Sequence, residues 1–467
     1  MFHKNFSLIA ICLFSCLITS CTMLGPDYHQ PELNLPQHWS QTPSSLSNGK
    51  ELSRWWQVFN DPLLTELITK AAMQNLNVQQ AKARVYESRI KYKLSQAKLY
   101  PILTGSTGVA QSETSQQTGL GLTTELFNHS LDASWEIDLF GKFRRDIEAK
   151  TADRAAAEQD LQDVLVSLYA EVALAYVELR NYQARLARTE ESVATQQATY
   201  QITDWRYQAG LTTRLDVEQA KFSKESTESD LPSLREGIVL ARQSLALLLG
   251  LSPDALTAKL AKTKPIPTAP KEIALGIPAN ILKQRPDVRK AESKLISQTA
   301  QIGVAEANRY PNLNLTGSIG LEALALGNLY TASAKMFQIA ATSAWTLADT
   351  GRLKSNVEIQ KALQQQALAA YQQTVLTALK EVEQALIGFQ QEQDRIQLLQ
   401  QAVASGQRAL ELAQYQYQSG ISDFQPVLNA QKSLLTMQLN LVNSQAKLAS
   451  NTIKLYKALG GGWMPIS

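Results

Sequence analysis

The longest pattern in the chain is a heptad-like seam of mostly apolar positions between Gly351 and Gly420. From Val375 onward, the seam positions recur at alternating steps of four and three residues: Leu379, Val382, Leu386, Phe389, Gln393, Ile396, Gln400 and Val403. This spacing is typical of a helix that packs along its length against another helix. Because no proline interrupts the stretch, it predicts one helix of roughly 67 residues, about 100 Å long, which far exceeds the usual globular helix.

A second helix of the same length is predicted between Gly141 and Gly210, where the interior holds neither glycine nor proline. Landmarks around the two helices recur about 210 residues apart. The matching pairs are Tyr100-Pro101 with Tyr310-Pro311, Trp135 with Trp345, Gly141 with Gly351, Tyr207-x-x-Gly210 with Tyr417-x-x-Gly420, and Leu249-Gly250 with Leu459-Gly460. The sequence therefore predicts an internally duplicated chain.

Four stretches alternate between apolar and polar residues and are predicted to be strands: 101–109, 127–139, 312–321 and 337–347. Such strands fit a transmembrane β-barrel, but a half-buried sheet in a soluble protein shows the same alternation, so both interpretations stay open here. Four strands cannot close a barrel in lipid, because unpaired backbone edges cannot face hydrocarbon. If these strands span a membrane, protomers must share the barrel, and three copies give twelve strands.

Shorter helices are predicted at 75–99 and 285–309, before the strand pairs, and at 212–249 and 421–459, after the long helices. The two short helices of each repeat together match the length of one long helix. Each protomer therefore offers four helical columns about 100 Å long, and three protomers make a hollow cylinder of twelve. The alternative to a hollow cylinder is a coiled-coil scaffold that is tethered by a lipid and whose strands form a soluble sheet.

The N-terminus has the features of a bacterial lipoprotein signal peptide over residues 1–20. Lys4 precedes an apolar run from 6 to 18, and the sequence LITSC at 17–21 resembles the lipobox that is cleaved immediately before its cysteine. Cys21 is therefore the predicted lipidation site; the alternative is an ordinary secretory signal with an incidental cysteine. Thr22 follows Cys21, instead of the aspartate that commonly retains lipoproteins at the inner membrane, so the outer membrane is expected.

Composition argues against several function classes. The net charge is +3 and 19% of the residues are charged, a balance that does not suggest a nucleic-acid partner. The chain has four histidines, none at metal-ligand spacing with a cysteine or an acidic cluster, and it has no phosphate-binding glycine loop. We expect no enzyme activity, no catalytic residue, no cofactor and no metal.

The segment 275–320, which begins LGIPANILKQRPDVRKAES, resembles the hallmark stretch of the outer membrane factors. These are the TolC/OprM-type outer-membrane efflux channels, and the segment especially resembles their NodT-like lipoprotein branch. GPDY at 25–28, RWWQVFNDP at 54–62 and ALGGGW at 458–463 extend the resemblance over essentially the whole mature chain.

The resemblance implies a fold that is mainly α with a β-barrel. Three protomers, each with four strands, form a twelve-stranded outer-membrane barrel that continues as a long periplasmic α-helical barrel with a mixed equatorial belt. The implied segments are the signal peptide at 1–20, a lipidated extended segment at 21–60, the first repeat at 61–250, an equatorial segment at 251–280, the second repeat at 281–460 and a tail at 461–467.

The helix turns marked by Tyr207, Gly210, Tyr417 and Gly420 are expected at the tip remote from the membrane, where the family narrows its duct. Ser422-x-x-Gln425 resembles a capping box with Asp423 and Pro426 in the first turn. Family-matched positions that often hold an apolar residue, an aspartate and an arginine are here Gln425, Asn429 and Lys432. The candidate gate residues are Asp423, Gln425, Asn429 and Lys432, with Asp423 or Lys432 making contacts between hairpins. Alternatively, these are solvated cap residues and the constriction lies elsewhere.

The resemblance implies the outer-membrane channel of a tripartite efflux system, which conducts drugs and other small molecules passively. Its implied partners are two further copies of the chain, a periplasmic adaptor, an inner-membrane transporter and outer-membrane lipid. A duct for a secreted protein, peptide or oligosaccharide remains the alternative function.

Overall fold

The computed structural model describes residues 23–32, 36, 39, 52–270 and 282–462. The predicted signal peptide and Cys21 lie outside these residues. The chain divides into two compact units. The sheet unit comprises Met1–Leu33, Arg84–Glu158 and Lys290–Gln372, and the helix unit comprises Asn34–Ala83, Gln159–Arg289 and Gln373–Ser467.

The element order repeats once along the chain. The first repeat contains α1 (Pro62–Gln74), α2 (Leu76–Ala97), β1 (Ile102–Glu113), β2 (Thr123–Ile137), α3 (Lys142–Gln208), α4 (Arg214–Glu228) and α5 (Leu231–Leu248), and a short α6 (Thr257–Leu260) follows. The second repeat contains α7 (Pro286–Ala307), β3 (Asn312–Ala323), β4 (Lys335–Ala344), α8 (Arg352–Gln418) and α9 (Gln425–Ala458). Helices α3 and α8 each have 67 residues, which confirms the predicted length.

Glycine ends the helix in the same way at equivalent places in both repeats. Gly210 and Gly420 have φ of 72° and 71°, a left-handed conformation that costs glycine little. The amide of Gly210 donates to the carbonyl of Tyr207, and the next amide donates to the carbonyl of Arg206. This is a Schellman motif, which satisfies carbonyls that the ending helix leaves without partners.

The predicted single helix 212–249 is wrong, because α4 ends at Glu228 and α5 begins at Leu231. Pro232 lies in the first turn of α5. Proline has no amide hydrogen to donate, and its ring clashes with the carbonyl four residues earlier, so a helix cannot pass through it unbroken. Val442 occupies the equivalent position of the second repeat, where α9 is continuous.

The four strands form one antiparallel sheet in chain order, β1-β2-β3-β4. Its polar face joins hydroxyl groups around one carboxylate. Asp132 accepts hydrogen bonds from Ser106 at 2.7 Å, Ser130 at 3.0 Å and Ser318 at 2.6 Å. Ser106 pairs with Ser130, and Asp132 pairs with Ser318. Because Ser130 and Asp132 are two residues apart on β2, both pairs lie on the same face of the sheet.

Large side chains on the apolar face of this sheet are exposed. The exposed fractions are 52% for Leu131, 61% for Ile319 and 74% for Phe337, against 6% for Ser130 on the polar face. A soluble half-buried sheet covers its apolar face with a core, so this arrangement argues against that alternative and fits strands whose apolar face meets lipid. Within the described residues, no helix is both long enough and apolar enough to cross a membrane.

A pair of tryptophans repeats one contact at the end of the sheet that joins the helices. The indole N–H of Trp135 donates to the carbonyl of Leu99 at 2.9 Å, and that of Trp345 donates to the carbonyl of Arg309 at 3.0 Å. Both bonds span 36 residues, so the duplication reaches individual side-chain contacts. Amphipathic rings in this position are typical of a membrane interface.

The core of the helix unit packs around the middle of α3 and α8 and includes residues from a 3₁₀ helix, Leu52–Phe59. Trp55 is fully buried and stacks on Tyr456 with ring centroids 5.7 Å apart. Asp61 caps α1 by accepting hydrogen bonds from the first-turn amides. Its other carboxylate oxygen accepts from Tyr176 at 2.6 Å, and burial raises the pKa of Tyr176 to about 12.

Arg285, in the RPD sequence at the start of α7, also belongs to this unit. Its guanidinium donates to the carbonyl of Ala458 and to the carboxylates of Asp287 and Glu381, each at 2.7 Å. The side chain is 8% exposed, so these partners compensate the desolvation of its charge. Arg285 thereby ties the start of α7 to the end of α9 and the middle of α8.

Candidate periplasmic gate

The turn between α8 and α9 is built around two aromatic side chains. Tyr417 lies in the last turn of α8, and Phe424 immediately precedes α9. Their rings are 5.1 Å apart, and the residues are only 5% and 1% exposed. The left-handed Gly420 reverses the chain between them, so both rings enter one small core with Leu410, Val427 and Leu434.

The capping box expected from Ser422 and Gln425 does not form. The N-cap position belongs to Phe424, which has no side-chain capping bond, and α9 begins at Gln425 with Pro426 in its first turn. Asp423 therefore precedes the helix instead of lying in its first turn. Burial of Phe424 against Tyr417 draws the chain inward at the cap position, where an aromatic side chain cannot accept a hydrogen bond from the helix amides.

A capping box does form in the equivalent turn of the first repeat. The hydroxyl of Thr213 accepts from the amide of Asp216, whose carboxylate accepts from the amide of Thr213. Burial by itself would raise the pKa of Asp216, but hydrogen bonds from Thr212 and Thr213 outweigh it and hold that pKa below its ordinary value. The two turns share their glycine but differ in how the following helix starts.

Three of the candidate gate residues lie on one exposed face of α9. Gln425, Asn429 and Lys432 are spaced four and three residues apart, and all three are exposed. The side-chain amide of Gln425 donates to the side-chain oxygen of Asn429 at 3.2 Å. Asp423 is also exposed, at the end of the turn. The structure thus brings the four residues to one side of one hairpin end.

On the side of α3, the contacts with this hairpin come from Thr203 and Arg206, which the sequence analysis missed. The guanidinium of Arg206 lies 4.8 Å from the ring centre of Tyr417 and donates to the carbonyl of Gln418 at 2.9 Å. The hydroxyls of Tyr417 and Thr203 are 3.4 Å apart. The only sequence signal for Arg206 is its place in the last turn of α3, where a cation interacts favourably with the helix dipole.

A further contact lies deeper in the same core, where Gln431 of α9 donates to the hydroxyl of Thr199 at 2.8 Å. Gln431 is 4% exposed, so this bond satisfies a buried amide. In the part of the chain that the structure describes, Asp423 and Lys432 form no hydrogen bond or ion pair with α3 of the same protomer. The contact of Asp423 or Lys432 with another hairpin stays a prediction.

The two tip tyrosines differ in their surroundings. Tyr207 is 39% exposed, with the guanidinium of Arg214 lying 5.9 Å from its ring centre, whereas Tyr417 is buried. The apolar residues that follow the two glycines are both exposed, Leu211 at 65% and Ile421 at 72%. In a Schellman motif this residue usually packs on its own helix, so each turn presents an uncovered apolar side chain.

A buried acid links α8 to α9 farther from the turn. Glu392 accepts from the hydroxyl of Ser444 at 2.5 Å and from the ammonium of Lys447 at 2.6 Å, and its side chain is 5% exposed. Burial by itself would raise the pKa of Glu392, but Lys447 and Ser444 outweigh it and hold that pKa below its ordinary value. The equivalent contact in the first repeat is apolar, with the ring of Tyr182 over Gly237.

Potential metal ligands do not cluster in the described ranges. No group of three histidine, cysteine, aspartate or glutamate side chains among them could hold a metal ion.

Comparison with known proteins identifies the family. The family model for the outer membrane efflux proteins matches residues 67–251 and 277–461. Both ends of the second match lie about 210 residues after those of the first, which is the spacing of the internal repeat.

Several relatives match nearly the whole chain. Nodulation protein T of Rhizobium leguminosarum bv. trifolii is 31% identical over 97% of this chain and 97% of its own length. The cation efflux system protein CusC of Escherichia coli strain K12 is 31% identical over 95% of this chain and 97% of its own length. Among solved structures, the outer-membrane channel OprN has a TM-score of 0.88 and 30% identity and covers 95% of this chain and 100% of its own.

These likenesses confirm the predicted fold class, that of a trimeric channel in which a β-barrel is continued by a helical barrel. They also confirm the predicted location, the outer membrane with extension into the periplasm. The relatives are channel proteins and not enzymes, as predicted for this chain. The chain belongs to the outer membrane efflux protein family and is an outer-membrane component of efflux.

Proposed function

We propose that three copies of this chain form a passive duct that conducts drugs and other small molecules from a periplasmic assembly to the exterior. The sheet is the observation that carries this proposal. Its apolar face is exposed and its opposite face carries hydroxyls and Asp132. Among the residues that the structure describes, β1 and β4 each pair with a strand on one side only. Pairing of β4 with β1 of the next copy closes the barrel and removes both edges from lipid.

The duct is passive in this proposal, because an inner-membrane transporter supplies the energy and a periplasmic adaptor joins the two. The exposed Leu211 and Ile421 at the helix turns support an adaptor contact there. Uncovered apolar side chains that project from a polar turn suit a small hydrophobic interface with a partner. Leu211→Ser with Ile421→Ser is expected to weaken adaptor binding in a pull-down while the trimer still assembles.

The gate in this proposal is the narrow end of the duct at the α8–α9 turns. A threefold ring of Gln425 and Asn429 lines it without charge, whereas Asp423 or Lys432 contacts a neighbouring hairpin. Planar-bilayer recordings of Asn429→Asp test this assignment. A ring of carboxylates should raise cation preference, and an unchanged conductance and ion preference would count against Asn429 as a pore residue.

Cys21 anchors the chain in this proposal through a lipid attached after signal cleavage. The support is the LITSC sequence at 17–21. Mass spectrometry of the mature N-terminus should find an acylated cysteine there, and a free N-terminus elsewhere would refute lipidation.

The similar proteins are named for different processes. One relative is named for cation efflux and another for nodulation, and their equal similarity to this chain favours neither cargo. A duct for a secreted protein, peptide or oligosaccharide therefore remains the second candidate.

Drug susceptibility and dye accumulation in a deletion strain test the proposed function. The strain is complemented with the wild type and with Cys21→Ala carrying a cleavable signal. Restored resistance to several unrelated compounds supports small-molecule efflux, and the Cys21→Ala arm shows whether the lipid is needed. Unchanged susceptibility, with the protein expressed and its partners present, would refute drug efflux and favour dedicated secretion.

A further inference from the structure

A groove of about 570 Å³ lies along the sheet across β2, β3 and β4. Its apolar wall comes from Leu131, Ile319 and Phe337, which form one cross-strand row of the register. All three side chains are more than half exposed. The groove therefore lies on the exposed apolar face, among residues that meet lipid in an outer-membrane channel.

The next row toward the strand-connecting loops contains two side chains with basic nitrogen atoms. His129 of β2 and Lys335 of β4 both pair with Leu321 of β3 and also line the groove. Because neighbouring strands are about 4.8 Å apart, the two residues lie roughly 10 Å apart across the groove. The imidazole of His129 contacts Thr107 at 2.7 Å. Across the described part of the chain, Lys335 has no carboxylate within ion-pair distance.

The position of this row along the sheet determines which leaflet it faces. The helices join the sheet at one end, through residues 98–101, 138–141, 308–311 and 345–351, and the loops 114–122 and 324–334 lie at the other. Since the helices of this family extend into the periplasm, the loop end faces outward. Lys335, the first residue of β4, therefore lies at the outward end of that strand.

We propose that this groove binds a phosphorylated lipid of the outer leaflet. Lys335 holds a headgroup phosphate, His129 lies on the other side of that headgroup, and one acyl chain lies along Leu131, Ile319 and Phe337. A lysine on a lipid-facing surface is disfavoured at the bilayer centre and tolerated near the interface. A phosphate accepts strong hydrogen bonds from an ammonium group, especially where little water competes. The charge of Lys335 and the apolar wall together therefore favour a phosphorylated lipid.

The proposal rests on the sheet crossing the outer membrane, and native mass spectrometry of purified trimers tests it. Trimers in detergent are titrated with diphosphoryl lipid A and, separately, with lipid A whose phosphates have been removed. The wild type should retain the diphosphoryl form at least tenfold more tightly than the dephosphorylated form. Lys335→Gln should bind the diphosphoryl form about tenfold more weakly than the wild type, and Lys335→Arg should bind like the wild type.

Lys354→Gln is the matched control, because it removes one exposed lysine near the helix end of the sheet and should leave binding unchanged. Heat-modifiable migration and channel conductance confirm that each variant is an assembled duct, so a failure of this site is distinguishable from a failure of the proposed function. Equal retention by Lys335→Gln and the wild type would overturn the proposal. Equal retention of the two lipids by the wild type would do the same.

Discussion

Removal of the Arg206 side-chain charge should favour the open state of the duct. Arg206 makes two contacts between the end of α3 and the end of α8, one with the ring of Tyr417 and one with the carbonyl of Gln418. Any opening that separates these helix ends breaks both contacts. Arg206→Met keeps an apolar stem against the ring but removes the cation and the donor.

The magnitude follows from the two contacts. A cation over an aromatic ring contributes about 1 kcal/mol at a partly exposed site. A hydrogen bond from a charged donor contributes roughly 1.5 to 3 kcal/mol. Because Arg206 is only half-buried, solvent screening reduces the sum to about 2 kcal/mol. Since each 1.4 kcal/mol is a factor of ten, the ratio of open to closed channels should rise about 30-fold.

Single-channel recording in planar bilayers measures this ratio directly. The control is Arg188→Met, which removes the same charge from the same helix where the arginine pairs with Glu191 and is 51% exposed. The control should leave the open fraction within about twofold of the wild type, because exposed ion pairs contribute little. If Arg206→Met matches the wild type and the control, the α3–α8 contact does not restrain opening, and the reasoning fails.

Two further predictions concern stability. The pKa of Glu392 is held below the ordinary value of 4.5. The stability that its charged form contributes is therefore complete above that pH and is lost as the pH falls through the lowered pKa. The melting temperature of the wild type should exceed that of Glu392→Gln at pH 7, and the difference should shrink below pH 4.5. A constant difference would contradict the role given to Lys447. Arg285→Met should cost about 2 kcal/mol, because it leaves the buried carbonyl of Ala458 without its charged donor. Thermal unfolding of the detergent-solubilised trimer checks this, and an unchanged melting temperature would contradict it.

Much of the fold could be predicted because its signals are local and occur twice. Gly210 and Gly420 mark helix ends, since only glycine adopts the left-handed conformation at low cost, and so the lengths of α3 and α8 followed. The alternation along β2 predicted which residues share a face. The pattern alone left open which face was exposed, because that depends on what covers the sheet.

The errors come from places where distant contacts or one proline override a local pattern. Pro232 divides a helix that the periodicity predicts as continuous. The spacing of apolar residues carries no information about the backbone amide hydrogen that proline lacks. Phe424 displaces the capping box expected at Ser422, because burial against Tyr417 decides where α9 begins. Arg206 belongs to no recognisable sequence motif. Its contacts are with residues more than 200 positions away, so they depend on the tertiary structure.

In the proposed assembly, three copies enclose one duct whose constriction is lined by Gln425 and Asn429. In the mature chain predicted from the lipobox, Cys21 is the only native cysteine and its thiol is lipidated, so Asn429→Cys introduces one reactive thiol per protomer. Single-channel recordings with a membrane-impermeant, positively charged thiol reagent should show stepwise block in at most three steps, reversed by a reductant. Lys432→Cys provides a second site one turn away on the same face. Unaltered conductance in both variants, with mass spectrometry proving that the thiols were modified, would contradict the claim.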